Sequence, residues 1–453
     1  MSNLVEKYNV PGPRYTSYPT VPFWKNNPLT IEDWTGTIAR NSKEFASNDL
    51  SLYIHLPYCE SLCTFCGCHK RITKNHAVEG PYIDAVIKEW ELYKKDFNFT
   101  PEIKELHFGG GTPTFFSPDQ LIRLVESIFN KESVDSTKTE LGFEAHPNNT
   151  SEEHLEKLYA FGFRRLSLGI QDYSPTVQQA INRVQPYENV KLVHDQARAL
   201  GYTSISHDLV FGLPKQHIGD IIDTVEKTLT LRPDRISLYS YAHVPWIKGN
   251  GQRGYDESDL PQDNEKRDLY LKAKSLLEEQ GYLEIGMDHF ALPHDDLAKA
   301  FNAKNLHRNF MGYTTQNTPF LLGLGMSAIS DSWFGFAQNE KVTETYIERV
   351  NNNEIPIFRG HVLSDLDVEI RTYILDLMCH FETEFAGDSA TPELHTSIVD
   401  RLDEMISDGL VIVDGKKVTV TDEGIAFVRN CCMAFDQDLA NNQQRENMFS
   451  KTV

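Results

Sequence analysis

The sequence predicts an α/β protein whose largest part is a full or partial (β/α) barrel. An N-terminal arm precedes the barrel, and a mainly helical C-terminal domain follows it. Three observations predict this arrangement. Short apolar runs alternate with amphipathic, helix-length segments between residues 51 and 290, as in repeated β–α units around a parallel sheet. Chemically unusual residues come directly after these runs, where a barrel carries its functional groups. From about residue 363 the pattern changes to helices and one hairpin.

The composition favours a cytoplasmic protein. The chain has 453 residues, of which 40% are hydrophobic and 24% are charged, as is ordinary for a soluble protein. No apolar run approaches the ~20 residues of a membrane span, and the N-terminus does not resemble a secretion signal. The cysteines cluster instead of spreading as pairs, which indicates a reducing compartment. A net charge of −21 disfavours nucleic acid as a partner. Any anionic substrate therefore needs a local basic pocket.

Residues 1–50 are predicted to form the N-terminal arm. They show little regular periodicity, and their five prolines favour extended and turn structure. The run from Gly12 to Thr20 is dense in aromatic and hydrogen-bonding groups. It either packs over the next domain or closes a site, in which case Arg14 offers an anion a bidentate contact. Composition does not separate these two alternatives.

The barrel, residues 51–290, contains the strand candidates and the helices between them. The strand candidates are Leu52–His55, Ile103–Phe108, Leu141–Ala145, Arg165–Gly169, Ser204–Val210, Arg235–Tyr239 and Leu283–Met287. Helix-length stretches with apolar residues at i, i+3 and i+4 include Pro81–Tyr93, Ser117–Phe129, Ser151–Phe161 and Asp263–Gln280. Ser117 is the predicted N-cap of the second of these helices.

The rest of the chain divides into two further regions. Residues 291–362 are richer in loops, and we expect them to form an extension that lines the site. Residues 363–453 are predicted to be helical, with a hairpin wing around the tight-turn signal Asp414-Gly415. Helices with a hairpin indicate a winged-helix-like module. Such modules often bind DNA, but the acidic surroundings favour a packing or lid role.

Four of the seven cysteines lie within ten residues of one another. Cys59, Cys63 and Cys66 follow a C-x3-C-x2-C spacing directly after the first strand candidate. Three thiolates on one loop can bind three irons of a [4Fe–4S] cluster and leave the fourth iron free for a non-protein ligand. The alternative is a zinc knuckle with Cys68 or His69 as the fourth ligand.

The residues that follow the other strands favour the iron–sulfur alternative. A zinc knuckle has no reason to lie at the mouth of a barrel among such neighbours. A Gly-Gly-Gly-Thr-Pro run exposes backbone groups, although by itself it is more often a turn. A glutamate at a strand end suits a cationic or hydroxyl partner, or a simple salt bridge. In chain order, these residues are Gly109–Pro113, Glu144, Gln171-Asp172, Asp208 and Tyr241–His243.

With Phe65 before its third cysteine, the loop resembles the signature of the radical S-adenosylmethionine (SAM) superfamily. Almost end to end, the chain resembles the oxygen-independent coproporphyrinogen III oxidases of bacteria. The motifs that carry this resemblance are the Pro-Arg-Tyr-Thr-Ser-Tyr-Pro arm, the cysteine loop, Gly-Gly-Gly-Thr-Pro-Thr, Gly169–Asp172, Phe211–Gln216, Gly286–Phe290, His307–Phe310, Gly312–Thr315 and Arg429-Asn-x-Cys.

The resemblance implies a barrel of the radical SAM type and a specific reaction. Two propionates of coproporphyrinogen III would be decarboxylated oxidatively to vinyl groups, giving protoporphyrinogen IX for haem biosynthesis. A 5′-deoxyadenosyl radical would abstract the hydrogen atom. The resemblance also implies a [4Fe–4S] cluster, two SAM molecules, a reduced electron donor such as flavodoxin or ferredoxin, and a monomer.

The family's site residues carry over position by position. Cys59, Cys63 and Cys66 would bind the cluster. The cluster-bound SAM would be lined by Tyr53, Gly110, Glu144 and Ile329. The second SAM would be lined by Phe65, Gly111, Thr112, Gln171, Arg183, Asp208 and Ala242. Candidates for propionate recognition are Arg14, His55 and Arg308.

The chain departs from the family pattern at two positions. His146 stands where an acidic residue is often found, and Met311 stands where a glutamine is often found. The main alternative function is that of a haem-binding relative, a haem chaperone without decarboxylase activity. That group lacks the Arg-Tyr-Thr-Ser-Tyr arm and a cysteine at the position of Cys68, and this chain has both.

Overall fold

The computed structural model describes residues 2–25, 28–97, 99–130, 134–244, 251–386, 392–442 and 448–452. Its centre is a twelve-stranded mixed sheet. Most of the large apolar core lies between this sheet and the helices that cross it. The helices that cross the sheet, and eight of its twelve strands, come largely from the region predicted to be a barrel.

Six strands of the sheet are parallel and pair in chain order, as the repeated β–α units predict. Each strand alternates, with one apolar face and one more polar face: Leu50, Leu52, Ile54 and Leu56 of the first strand are all 0% exposed, whereas Ser51, Tyr53 and His55 point to the opposite side. The six strands are Asp49–Leu56, Glu102–Gly110, Glu140–Ala145, Arg165–Gln171, Ser204–Phe211 and Arg235–Ser240.

Helices connect these strands, because parallel neighbours need a long crossover. Ser151 caps its helix as a side-chain acceptor for the backbone N–H of His154. Ser117 also occupies the predicted N-cap position, but its side chain makes no capping hydrogen bond. The crossing helices are Glu79–Asp96, Pro118–Ile128, Glu152–Phe161, Pro175–Ala180, Tyr187–Leu200, Ile218–Leu231 and Asp263–Glu279.

The seventh strand candidate does not continue the parallel series. Leu283–Gly286 is an edge strand that pairs antiparallel with His289–Ala291, which in turn pairs antiparallel with the sixth parallel strand. Only two residues separate the strands of this hairpin, too few for a crossover helix. The barrel is therefore partial, which decides between the two alternatives that the sequence left open.

Residues 291–362 contain more regular structure than the sequence indicated. Four of their strands extend the main sheet beyond its first parallel strand, so the expectation of a loop-rich extension is wrong for this part. These strands are short and pair with one another at the sheet edge, so each has little periodicity of its own. They are Leu321–Leu324, Ile329–Asp331, Gly335–Asn339 and Ile357–Val362. Helices Asp296–Asn302 and Thr343–Asn351 and the hairpin His307–Asn309 with Gly312–Thr314 complete the region.

The N-terminal region contains two helices, Ser2–Tyr8 and Ile31–Phe45, which its composition did not predict. The longer helix buries Trp34 and Ile38 together with the polar residues Thr37 and Asn41. Its apolar residues do recur at helical spacing, but the five prolines of residues 1–50 favour the prediction of an extended arm. Between the two helices, the described residues contain bends and one short 3₁₀ turn, Val21–Phe23.

The C-terminal region has its own core, and the N-terminal arm packs into it. The predicted hairpin is confirmed: Val411–Asp414 pairs with Lys417–Val420, and Gly415 takes the positive φ of 60° that its turn requires. Glu382–Glu384 adds a third strand. The helices are Asp365–His380, Pro392–Ser407, Val428–Phe435 and Gln437–Asn441. Within the described ranges, no helix is both long and apolar enough to cross a lipid bilayer.

Candidate active site

A cavity of roughly 390 Å³ lies at the C-terminal ends of the parallel strands. Its wall is built by the cysteine loop after the first strand, the glycine run after the second, and the ends of the third to sixth strands. Strand ends at one edge of a parallel sheet lie next to one another, so residues far apart in the chain meet there. This volume is typical of a small-molecule site.

Twelve of the residues singled out in the sequence line this one cavity. Eleven of them come from the cysteine loop and five strand-end segments, and Arg183 follows the short helix Pro175–Ala180. They are Cys59, Cys63, Phe65, Cys66, Gly110, Gly111, Thr112, Glu144, Gln171, Arg183, Asp208 and Ala242.

The three cysteines of the predicted cluster motif are free thiols on one loop. Cys59 lies on a short strand, and its sulfur is 3.3 Å from Thr112 Oγ1 on the glycine run. The Cys63 carbonyl accepts a hydrogen bond of 3.3 Å from the Cys66 N–H, which turns the loop so that both side chains reach the same cavity. Arg183 Nη1 lies 3.8 Å from Cys63 Sγ.

The electrostatics of these thiols suit a bound cationic metal cluster. Burial raises the pKa of Cys59 to about 11, so it ionises at neutral pH only when a metal takes the proton's place. A hydrogen bond from the Cys68 thiol lowers the pKa of Cys66. Within the described residues, no three acidic, histidine or cysteine side chains group closely enough to hold a single ion. A [4Fe–4S] cluster does not need three side chains around one ion, because each thiolate binds a different iron.

The glycine run makes a flat wall of exposed backbone. A Cβ on Gly111 would lie 2.5 Å from the Pro57 carbonyl oxygen, and a Cβ on Gly110 would lie 2.7 Å from His55 Cε1. Gly110 also has a φ of +115°, which side chains rarely adopt. Glycine therefore lets this run pack directly on the first strand while its backbone faces the cavity.

Two carboxylates face the cavity without a fixed cation from the described lysines and arginines. Glu144 Oε2 accepts a hydrogen bond of 3.2 Å from the Gly110 N–H, and its side chain is 45% exposed. Asp208 accepts a hydrogen bond of 2.9 Å from Ser167 Oγ, and burial raises the pKa of Asp208 to about 6. Both carboxylates are therefore available to a ligand that brings a cation or hydroxyl groups.

Arg183 and Gln171 complete the polar wall. Arg183 Nη2 donates a hydrogen bond of 2.5 Å to the Gly169 carbonyl, while its Nε is buried without a partner among the described residues. Gln171 has a φ of 71°, an uncommon backbone conformation for a residue with a side chain. A Cβ on Gly169 would lie 2.9 Å from both side chains, so this glycine gives them room.

Three predicted residues lie behind the cavity wall. Tyr53 packs beneath Gly109, where an added Cβ would come within 2.8 Å of its ring. His55 is 6% exposed, and its Nε2 is 2.8 Å from the His69 carbonyl oxygen. Burial lowers the pKa of His55, so it is neutral and is not placed to meet a propionate. Ile329 starts a strand whose backbone packs on Gly323.

Arg14 and Arg308 form a second basic group next to the cavity. Arg14 Nη1 is 2.6 Å from Asp288 Oδ2, and its Nη2 donates a hydrogen bond of 3.3 Å to the carbonyl of Ser240, a cavity residue. Arg308 is 4% exposed and donates to the Arg14 carbonyl, while its Nε and Nη1 have no partner among the described residues. Its guanidinium carbon lies 4.5 Å from the Tyr313 ring centre.

The cavity also contains residues that sequence reasoning did not assign to the site. Tyr239 and Ser240 end the sixth strand, so the strand-end rule could have found them. Lys70 follows the cysteines, and its Nζ donates to the carbonyls of Cys66 and Cys68 at 3.0 and 3.3 Å. Others on the wall are Cys68, His146, Asn149, Tyr241 and Gln252.

Comparison with known proteins agrees with this geometry. A family model of the Radical SAM superfamily matches residues 53–228, which hold the cysteine loop and the first five parallel strands. The fold and the site therefore define a radical SAM enzyme, whose cofactors are a [4Fe–4S] cluster and SAM.

Similarity to individual proteins extends over the whole chain. It is 37% identical to the oxygen-independent coproporphyrinogen III oxidase of Pseudomonas aeruginosa, covering 100% of this chain and 98% of that protein. For the enzyme of the same name from Escherichia coli, identity is 37% over 99% of this chain and 98% of the other. The solved structure of coproporphyrinogen III oxidase from Escherichia coli, a radical SAM enzyme, matches with a TM-score of 0.89 at 35% identity, over 97% of this chain and 99% of that one. The chain belongs to the family of oxygen-independent coproporphyrinogen III oxidases.

Proposed function

We propose that this chain oxidises coproporphyrinogen III without oxygen, converting two of its propionates to vinyl groups and giving protoporphyrinogen IX in haem biosynthesis. The observation that carries this function is the convergence of the three cysteines, the glycine run and Glu144 on one cavity, in a chain related end to end to enzymes of that name. When bound and reduced, the cluster and SAM supply a carbon radical that can take a hydrogen atom from the β-carbon of a propionate.

Cys59, Cys63 and Cys66 bind the cluster in this proposal. Three thiolates would leave one iron of the cluster without a protein ligand, and a SAM molecule could bind there. Glu144 and the backbone of Gly110 orient the SAM that binds there, because a half-exposed carboxylate suits an ammonium or hydroxyl group. Tyr53 and Ile329 support this position from behind the wall.

A second SAM molecule is proposed for the opposite part of the wall. Asp208 would accept hydrogen bonds from hydroxyl groups, and Arg183 would hold a carboxylate with donors that the protein leaves free. Phe65 offers an aromatic face beside them. The other wall residues in this proposal are Gly111, Thr112, Gln171 and Ala242.

Arg14 and Arg308 are proposed to recognise propionates of the substrate. Arg308 has two buried donors without partners, which an incoming carboxylate would satisfy. Arg14 is paired with Asp288, so a propionate would have to share or replace that partner. His55 would act only through the wall, since it lies beneath Gly110. The electron donor is proposed to be a reduced flavodoxin or ferredoxin, and the enzyme is proposed to be a cytoplasmic monomer.

An anaerobic assay tests this function directly. Reconstituted enzyme with reductant, SAM and coproporphyrinogen III should produce protoporphyrinogen IX together with 5′-deoxyadenosine. Omission of SAM should stop both products. Tight stoichiometric binding of haem with no decarboxylation would contradict the proposal and identify a haem chaperone.

A further inference from the structure

The segment that follows the cluster cysteines is basic in an otherwise acidic chain. Residues 61–78 contain Lys70, Arg71 and Lys74 and no aspartate or glutamate, whereas the whole chain has a net charge of −21. The positive charge of this segment therefore contrasts with the acidic character of the chain as a whole. Its position beside the cluster ligands connects it with the site.

The fold brings two more cations to this segment from about 270 residues further along. The Arg71 side chain pairs with Glu344 at 2.8 Å, which brings the segment around residues 340–344 against it. Lys341 packs over the Phe358 ring at 5.5 Å, and Arg359 lies 5.6 Å from the Trp24 ring centre. We define the basic surface as Lys70, Arg71, Ile72, Lys74, Lys341 and Arg359.

The basic surface is accessible and has an apolar centre. The Arg71 side chain is 58% exposed, and Lys74 is exposed. Ile72, between them, is 39% exposed. Acidic residues at its margin are Glu60, Glu340 and Glu344, of which Glu344 pairs with Arg71 at 2.8 Å. Five cations against three carboxylates leave it positive.

Hydrogen bonds join the basic surface directly to the cysteine loop. The strand Arg71–Ile72 pairs with Tyr58–Cys59, and the Thr73 N–H donates a hydrogen bond of 2.9 Å to the Cys59 carbonyl. Lys70 donates to the carbonyls of Cys66 and Cys68. The outer surface is therefore one backbone layer away from residues that bind the cluster.

We propose that the basic surface docks an acidic one-electron carrier protein, which passes its electron to the oxidised cluster. The inference rests on the proposed function, since it needs a cluster that must be reduced before each reaction. In this step the carrier loses one electron and the cluster gains one, and no bond forms or breaks. Opposite charges raise the encounter rate, and a small apolar centre with a charged rim is typical of transient redox contacts.

Charge reversal on the basic surface tests this inference. Arg71→Glu and Lys74→Glu are each compared with Lys138→Glu, an 81% exposed lysine at the opposite end of the strands. The probes are a flavodoxin and a plant-type [2Fe–2S] ferredoxin, both acidic. Calorimetry measures the Kd, stopped-flow absorbance measures cluster reduction, and turnover is measured with the carrier and with dithionite.

We expect each reversal on the basic surface to raise the Kd and slow carrier-driven reduction by about three- to tenfold at low salt, with little effect near 0.5 M salt. Lys138→Glu should change neither quantity, and dithionite-driven turnover should stay at the wild-type level in all three variants. Unchanged carrier binding, or an equal loss in Lys138→Glu, would overturn the inference. So would single-stranded RNA that binds the basic surface at physiological salt while neither carrier binds. Absence of product with dithionite in the wild type would instead contradict the proposed function.

Discussion

At the C-terminal ends of the parallel strands, Asp208 and Arg183 face the cavity without a described side chain of opposite charge to pair with. At the N-terminal ends of the same strands, charges pair with one another. Arg235 Nε lies 2.7 Å from Asp295 Oδ1, and both side chains are buried. Arg198 Nη2 lies 2.6 Å from Asp234 Oδ2. We call these two regions the mouth and the base of the sheet.

This difference indicates that the mouth serves ligand binding and that the base serves the stability of the fold. A buried polar group without a partner costs stability, so an unpaired group persists where a ligand completes it. A buried ion pair adds little stability compared with an apolar pair of similar size. Removal of one partner, however, leaves the other charge buried and unpaired, at a cost of about 3–5 kcal/mol. Substitutions at the mouth should therefore impair chemistry, and substitutions at the base should impair folding.

The largest expected effect is at the mouth, in the proposed cluster ligands Cys59, Cys63 and Cys66. Cys63→Ser should abolish the brown cluster chromophore and reduce turnover to background, because serine replaces one of three thiolate ligands. Cys68→Ser should keep the cluster, since its thiol only donates a hydrogen bond to Cys66. Iron analysis and visible absorbance after anaerobic reconstitution measure both. Loss of the cluster in both variants would mean that the three ligands are wrongly chosen.

The arginines Arg183 and Arg235 provide a matched pair across the two regions. Arg235→Met should lower the free energy of unfolding by about 3–5 kcal/mol, since it leaves Asp295 buried without its cation. Its folded fraction should turn over at nearly the wild-type rate. Arg183→Met should change unfolding by less than about 1 kcal/mol and lower kcat/KM by roughly 100-fold, the loss of a charged hydrogen bond pair.

Anaerobic urea unfolding and steady-state kinetics with SAM measure this pair of variants. Lys191→Met is the control for a lost surface ion pair, because the side chains of Lys191 and its partner Asp195 are both 52% exposed. It should cost at most about 1 kcal/mol. If Arg235→Met unfolds like the control, or loses turnover as Arg183→Met does, the division between mouth and base is wrong.

The sequence predicted the mouth far better than the base. Strand-end position was enough to place Glu144 and Asp208 in the cavity, because a parallel sheet brings those ends together whatever the crossovers contain. Arg183 follows a short helix instead of a strand, and only the family resemblance singled it out. The Arg235–Asp295 pair joins residues 60 positions apart, and nothing in local periodicity indicates it.

Elements that depend on distant partners were also missed. In the helix Ile31–Phe45, buried Asn41 bonds to the carbonyls of Pro319 and Ser332, far along the chain, and local sequence does not indicate these partners. The short strand Ile329–Asp331 is stable only as part of a sheet edge built by its neighbours. Propensity is too weak to specify such segments before the sheet exists.

The two aspartates Asp208 and Asp295 should respond to substitution with opposite signs. Burial raises the folded-state pKa of Asp208 to about 6 from an ordinary 3.8, so folding favours its protonated form. Its contribution to stability is therefore complete below pH 3.8 and is lost as pH rises through about 6. Asp208→Asn should be more stable than wild type at pH 7.5 by up to about 3 kcal/mol, with this difference disappearing toward pH 4. SAM should bind about tenfold more weakly.

Asp295→Asn should instead lower stability at pH 7.5, because Asp295 accepts hydrogen bonds from Arg235, Ser204 and the Leu297 N–H. Unfolding free energies of both variants between pH 4.5 and 8, with SAM affinity by calorimetry, test the pair. A destabilised Asp208→Asn variant at pH 7.5 would show that Asp208 serves the fold and not a ligand.

The smallest expected effect concerns the hydrogen bond from Thr112 to a cluster ligand. Thr112 Oγ1 lies 3.3 Å from Cys59 Sγ, and with a thiolate there the hydroxyl must donate. Donors to the sulfurs stabilise the reduced, more negative cluster, so their removal makes its reduction potential more negative.

Thr112→Val keeps the shape of the side chain and removes the donor. Thr112→Val should shift the midpoint reduction potential of the cluster by roughly tens of millivolts, whereas Thr112→Ser should keep the wild-type potential. Redox titration monitored by electron paramagnetic resonance measures the shift. An equal shift in both variants would assign the effect to packing, and Thr112 would then be part of the wall without tuning the cluster.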